Sequence, residues 1–205
     1  MKACLQRAGG DTVRCFVAFL RESRGAAAVE FALLLPLMLA LLFLTLEFSQ
    51  ALDANRRVGR LASQVADLVT QQKEMTRDEL LALMTIGKAA LVPYRRSEPI
   101  ITVTAIRVTD EDEPEPRVVW SRALANGALV NAERPGDITE LPDSLLVRGA
   151  FLIRAEAELD YRPAILWQAS AKEALGLSAA FDNIPMRERY YLRPRQTATL
   201  PCGDC

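Results

Sequence analysis

The sequence predicts an α+β chain: a long N-terminal transmembrane helix that continues past the bilayer into a domain with a second helix and an antiparallel sheet of about four strands. Three observations carry that prediction. An unbroken apolar run from Phe31 to Leu46 is followed by apolar residues at spacings of three and four. A capping signature then opens a shorter helical pattern. From Ile100 onward, β-branched runs and apolar–polar alternation replace the helical period. These patterns divide the chain into a basic leader (1–25), a transmembrane helix (26–48), its continuation (49–74) and an α+β domain with a cysteine-bearing tail (75–205).

Composition narrows the function classes. The net charge is −1 and the basic residues are spread, which argues against a nucleic-acid surface. Histidine is absent, so histidine-dependent triads, imidazole metal ligands and the commonest general base are all excluded. Half of the residues are hydrophobic, and much of that excess is concentrated in the anchor.

Taken in order, residues 1–25 read as a cytoplasmic leader. Val13, Phe16, Val17 and Leu20 recur at helical spacing beside Arg14, Arg21 and Arg24, as in a short amphipathic turn on a membrane surface. Cys4 and Cys15 read there as inert thiols of a reducing compartment. Five cations of the leader against Asp11 and Glu22 place the N-terminus on the cytoplasmic side, although Arg56, Arg57 and Arg60 follow the span closely.

The anchor holds nine leucines and two phenylalanines between Phe31 and Leu46. At about −0.5 kcal/mol each on an insertion scale they contribute roughly −5 kcal/mol. An acid at the helix centre costs about +3 kcal/mol, but Glu30 lies at the edge, where the cost is smaller. Insertion wins. Pro36 frees one carbonyl and predicts a mild kink. Two other readings stay open: a secretory signal cut near Ser49-Gln50-Ala51, leaving Leu52 at the new terminus, and a plain uncut anchor.

Beyond the bilayer, Ala51, Ala54, Val58, Leu61, Val65 and Leu68 form a stripe, so one helix is predicted from Ala26 to Gln72. Its own sheet or a neighbouring helix is needed to cover that stripe. Thr76 and Glu79 form a capping box, and the helix it opens turns Leu80, Leu83, Met84 and Gly87 to the core until Pro93 stops it. Ile100 to Thr109 and Arg117 to Arg122 read as hairpin strands around the acidic tip Asp110 to Pro116. That tip lacks the ligand spacing and central glycine of a calcium loop, which favours a solvated turn.

Asn126 to Asp143 reads as a loop. From Phe151 to Arg162, apolar and polar residues alternate, predicting a strand with Phe151, Ile153, Ala155, Ala157, Leu159 and Tyr161 on the core and Arg154, Glu156 and Glu158 in water. Pro163 to Asp182 is irregular, with a short helical possibility at Ala169 to Leu175. Arg187 to Arg193 gives the last strand, with Tyr190 and Leu192 inward and Tyr191, Arg193 and Arg195 outward.

Cys202-Gly203-Asp204-Cys205 allows three readings. A redox couple needs a helix N-terminus to lower the thiol pKa, and a zinc site needs two more ligands. A small structural disulfide between Cys202 and Cys205 fits best, with little entropic stabilisation from so short a loop.

Arg24-Gly25-Ala26-Ala27-Ala28-Val29-Glu30-Phe31, running on to Pro36, resembles the processing region of class IVb prepilins and, more closely, the start of TadE/TadG-like minor pilins (pseudopilins) of the tight-adherence (Tad/Flp) pilus system. The terminal Tyr191-Leu192-Arg193-Pro194-Arg195 and its cysteine-bearing tail resemble the ends of such chains. The resemblance implies a pilin-like fold anchored in the bacterial inner membrane, with residues 49–205 periplasmic or carried outward in a pilus. It implies cutting between Gly25 and Ala26 by a prepilin peptidase, contacts with inner-membrane lipid, other pilins and Tad assembly components, and a part in a system that serves adhesion, secretion or uptake. It calls for no catalytic residue, cofactor, metal, nucleic acid or small-molecule substrate.

Within that resemblance Glu30 has a physical task. Ala26 and Glu30 stand at i and i+4, so a new α-ammonium at Ala26 meets a carboxylate one turn away in low dielectric and sets register between neighbouring subunits. The plainer reading is an acid snorkelling to the headgroups. Phe31 stands where major pilins of this class usually carry tyrosine, which favours a minor component. The competing function class is a membrane-tethered envelope thiol–disulfide protein using Cys202 and Cys205.

Overall fold

The computed structural model describes residues 24–92, 97–163 and 183–205. The leader up to residue 23, the Pro93 helix stop and the helical possibility at Ala169 to Leu175 lie outside those residues. Helix α1 is Arg24–Thr70 and runs through Pro36 without ending. Helix α2 is Arg77–Lys88, extended by a 3₁₀ turn at Ala89–Leu91. Five strands follow: β1 (Ile100–Val108), β2 (Pro116–Ala125), β3 (Ala128–Asn131), β4 (Phe151–Tyr161) and β5 (Ile184–Leu192). They form one antiparallel sheet in the order β3-β2-β1-β4-β5. The chain divides into two units, Met1–Phe48 and Ser49–Cys205.

In the second unit, the distal half of α1 buries a row of small and medium apolar residues. Ala54, Val58, Leu61, Ala62, Val65, Ala66 and Val69 are all fully shielded and join one core with Ile101, Val103 and Ala105 of β1 and Ile153, Ala155 and Ala157 of β4. Each such valine or leucine contributes roughly 1.5–3 kcal/mol relative to exposure. The two alanines of β4 also give the helix backbone room to approach.

Helix α2 starts where the capping box predicts. Thr76 Oγ1 accepts from Glu79 N at 3.3 Å, and Thr76 N donates to Glu79 Oε2 at 3.1 Å. Leu80, Met84 and Gly87 face the core. Gly87 is there for a reason of space: a Cβ on it would sit 2.8 Å from both Leu61 Cδ1 and Val65 Cγ2. The two helices touch through that missing methyl.

Two expectations for the sheet need correction. The segment after β2 is not all loop, because Asn126 (φ 51°) and Gly127 (φ 78°) turn the chain directly into β3. Positive φ at both central residues is the mark of a type I′ hairpin turn, a conformation that asparagine and glycine reach at least cost. The outer face of β4 is also not open to water, since Arg154 and Glu156 are only 2% and 8% exposed.

The segment from 132 to 145 accounts for that burial. Arg154 Nη1 donates to Thr139 Oγ1 (2.8 Å) and to the Glu140 carbonyl (3.2 Å), and Arg154 pairs with Glu133. Its Nε lies 3.1 Å from Glu156 Oε2, while Thr104 and Ser121 share a buried hydroxyl bond of 2.8 Å beside it. Arg189 closes the cluster on β5, where a hydrogen bond to Glu140, with Glu156 adding its charge, raises the guanidinium pKa against the opposing effect of burial. The alternation is right and the solvent is wrong: a loop pays for covering these charges by supplying acceptors.

The acidic tip is a solvated hairpin turn. Asp110, Glu111, Asp112 and Glu113 are exposed, Asp112 meets Arg148 at 3.2 Å, and the turn closes through Thr109 N to the Glu115 carbonyl at 3.0 Å. Tyr190 does lie on the helix side of the sheet, but at its edge: it is 40% exposed, with its hydroxyl over Gly59. Arg195 is exposed as expected, and it pairs there with Asp67 while its amide donates to the Thr70 carbonyl at 2.9 Å.

Candidate functional site: the exposed apolar helix and its acid

The first unit offers one surface of interest. Ala27–Phe48 of α1 spans about 33 Å at 1.5 Å per residue, against a bilayer hydrocarbon core of about 30 Å. Its large side chains point outward on every side, with Leu33 at 72% and Phe31 at 64% exposure. None of its most apolar stretch is buried against protein. A core helix of a soluble domain is distinguished by the opposite pattern, so this helix is long and apolar enough to cross a membrane and is not spent on its own fold. The Thr45 hydroxyl donates to the Leu41 carbonyl at 2.7 Å, which pairs that hydroxyl proton within the helix itself.

Gly25 and Ala26 both lie inside α1, whose backbone is helical from Arg24. Glu30 is exposed one turn beyond Ala26, and Phe31 is beside it. Helical geometry puts residues 26 and 30 on one face, about 6 Å apart along the axis. Glu30 is the sole ionisable side chain between Ala27 and Leu46. At the far end Glu47 behaves differently: it is 1% exposed and has a partner. The helix thus carries one solvent-facing acid at its entrance and one engaged acid at its exit.

Cys202 and Cys205 belong to the second unit and are joined as a disulfide with Cα atoms 5.4 Å apart. The tail that carries them is built into the fold. Leu200 is fully buried, and its carbonyl accepts from Trp120 Nε1 at 2.9 Å. The Pro201 carbonyl accepts from Met75 N at 3.0 Å, and Asp204 Oδ1 accepts from Arg77 N at 2.8 Å at the start of α2. A helix N-terminus is therefore beside the cysteines after all, but Asp204 takes its amide. Sequence reasoning passed over Asp204, and its signal was weak: one acid inside a four-residue ring, with its partner 127 residues away.

Residues 25–67 match the family model described as TadE-like protein, a match that begins at Gly25 and ends within α1. No curated protein and no solved structure matches the chain.

Proposed function

From the premise that this chain is a TadE-like, pilin-related protein of a Tad pilus system, carried by residues 25–67, we propose that it is a non-catalytic minor pilin or pseudopilin that takes part in assembling the pilus. A prepilin peptidase cuts after Gly25 on the cytoplasmic face of the inner membrane. Residues 26–48 hold the mature protein in lipid, and the domain beyond them stands in the periplasm until the subunit joins or supports a fibre. The observation that carries this reading is an exposed apolar helix with one exposed acid, Glu30, one turn from Ala26.

The mechanism is a matter of packing and charge. The new α-ammonium at Ala26 and the Glu30 carboxylate neutralise one another in low dielectric, within one subunit or between neighbours, while Phe31 and the leucines supply the packing surface. Other pilins and Tad assembly components are its partners. Cys202 and Cys205 act as a structural disulfide.

Intact-mass analysis of the membrane-extracted protein tests the cut: a mature N-terminus at Ala26 is expected, and one at Met1 or Leu52 overturns it. Separately, Glu30→Gln is expected to impair fibre formation in the native host with membrane insertion unchanged. Normal fibres from that variant remove the role of Glu30.

A second reading has one observation in its favour, the α2 N-terminus beside the tail, whose dipole favours a thiolate. On that reading the protein is a tethered thiol–disulfide protein of the envelope. Replacing both cysteines by serine separates the two: pilus assembly survives on the first reading, and thiol–disulfide exchange activity disappears on the second.

A further inference from the structure

Two charged patches of opposite sign on the second unit lack a counterpart among the described residues. The first lines an open groove of about 430 Å³ between α1 and the sheet's edge strand β5. Arg56 and Arg60 stand one helical turn apart on its α1 side, both exposed and both without an ion pair or hydrogen bond among the described residues. Like charges at that spacing repel. Gly59 forms the floor, where a Cβ would meet Glu188 Cγ and the Tyr190 hydroxyl oxygen at 3.7 Å. Glu188, the acid that lines the groove, accepts from Asn55 Nδ2 at 3.2 Å and pairs with neither arginine. The Tyr190 hydroxyl adds a donor that nothing among the described residues uses.

The second patch is the tip of the β1–β2 hairpin. Asp110, Glu111, Asp112 and Glu113 are consecutive and exposed, and Asp112 alone of them meets a cation, Arg148, among the described residues. The two patches are too far apart to meet within one chain. Across the sheet Glu188 is level with Ala157, and Ala157 with Ile101. The tip starts beyond Val108, about 24 Å further along the strands at the usual rise per residue. Helix α1 runs the same way, since Asn55 lies against Glu188 and Asp67 against Arg195. The groove is therefore beside the first turns of α1 in this unit, and the tip lies toward its last.

We propose that the acidic tip of a second copy of this chain docks in this groove, so that copies associate head to tail. Asp110, Glu111 and Glu113 bring carboxylates to the two guanidiniums and the Tyr190 hydroxyl, and each patch is relieved of its own repulsion. Tip and groove are different surfaces, so each contact leaves one groove and one tip free. Addition then continues into a fibre or closes into a ring, rather than stopping at a two-fold dimer. Exposed ion pairs are individually weak and screened by salt, so the contact forms between copies already concentrated together, as in one membrane. It uses neither Ala26 nor Glu30, and it stands or falls independently of the pilus reading.

The test is oxidative cross-linking of the full chain in phosphatidylcholine vesicles, with Cys4→Ser and Cys15→Ser throughout. One copy carries Gln64→Cys in the groove and a differently tagged copy carries Glu111→Cys at the tip. The mixed cross-link is expected to exceed either self-cross-link several-fold, and to fall about tenfold in about 1 M sodium chloride, where screening acts within about 3 Å. Arg56→Glu with Arg60→Glu on the groove copy is expected to cut it to the same extent. Adding Asp110→Lys with Glu113→Lys on the tip copy is expected to restore it, a rescue that a misfolded groove could not give. No cross-link, self-cross-links equal to the mixed one, a yield unmoved by salt or by the groove reversal, or no rescue by the second reversal each overturn the proposal.

Discussion

The two halves of α1 share one helical backbone and obey opposite rules. From Ala27 to Phe48 the large residues, mostly leucine and phenylalanine, face outward all round. From Ala54 to Val69 the shielded row is alanine, valine and one leucine, with Arg56, Arg60 and Gln64 on the open side. The first half has the bulk and uniformity that hydrocarbon accepts. The second has small residues that let a helix lie close to a sheet, and a polar back for water. A single hydrophobicity count treats the halves alike, whereas side-chain size and the distribution around the axis tell them apart.

The largest expected effect breaks the first half without touching the second. Leu37→Arg with Leu41→Arg removes two leucines and places two charges near the bilayer centre, moving the insertion sum from roughly −5 to about +2 kcal/mol. The variant is expected in the soluble fraction after alkaline extraction, with the circular dichroism of its sheet domain retained. Full membrane retention would show that the anchor lies elsewhere.

Next comes a pair of truncations that sets the halves against each other. Leu61→Ala, at a fully buried position, is expected to cost about 2–5 kcal/mol in urea unfolding of the detergent-solubilised chain. Leu41→Ala, at 50% exposure, is expected to stay within about 0.5 kcal/mol. Equal losses would erase the distinction drawn here.

Two glycines sharpen it further. A Cβ at Gly87 meets two buried core atoms at 2.8 Å, so overpacking of about 1–3 kcal/mol outweighs the gain in helix propensity of about 1 kcal/mol, and Gly87→Ala destabilises. A Cβ at Gly59 meets its nearest atoms at 3.7 Å, an ordinary contact, so Gly59→Ala is expected to stabilise by about 0.5–1 kcal/mol. Opposite signs in thermal unfolding are the check.

Legibility follows from range. The capping box, the apolar run and the alternation of Phe151 to Tyr161 are local patterns, and each was readable. The Asn126-Gly127 turn was readable as well, since asparagine–glycine is a strong short-range hairpin signal. The apolar run after it, Ala128-Leu129-Val130, is only three residues long, and Pro135, Gly136 and Pro142 made the whole segment look like loop. The burial of Arg154 was not readable, because its acceptors come from Glu133, Thr139 and Glu140 in a segment with no period of its own. At the candidate site, the spacing of Ala26 and Glu30 lies within one turn and needed no tertiary knowledge. Asp204 is the reverse case, since only the fold brings the tail to the Arg77 amide, 127 residues away.

The smallest effect concerns the tail, where sequence alone predicts that the disulfide adds little. Loop closure over four residues does add little, but the contacts give the ring a different task. Cys202 pairs with Met75 in an isolated bridge and Cys205 closes the ring, which holds Asp204 at the first amide of α2. An exposed carboxylate at a helix N-terminus contributes about 0.5–1 kcal/mol, discounted for solvent. Asp204→Ala is therefore expected to lower stability by that amount, and reduction of the disulfide to do the same by letting Asp204 wander. The two losses should not add, because both act on one hydrogen bond. Hydrogen exchange at the Arg77 amide reads this directly: protection falls in Asp204→Ala and, to the same level, in the reduced wild type. Additive losses would mean that the disulfide stabilises the tail by some other contact, with Leu200 under Trp120 the first place to look.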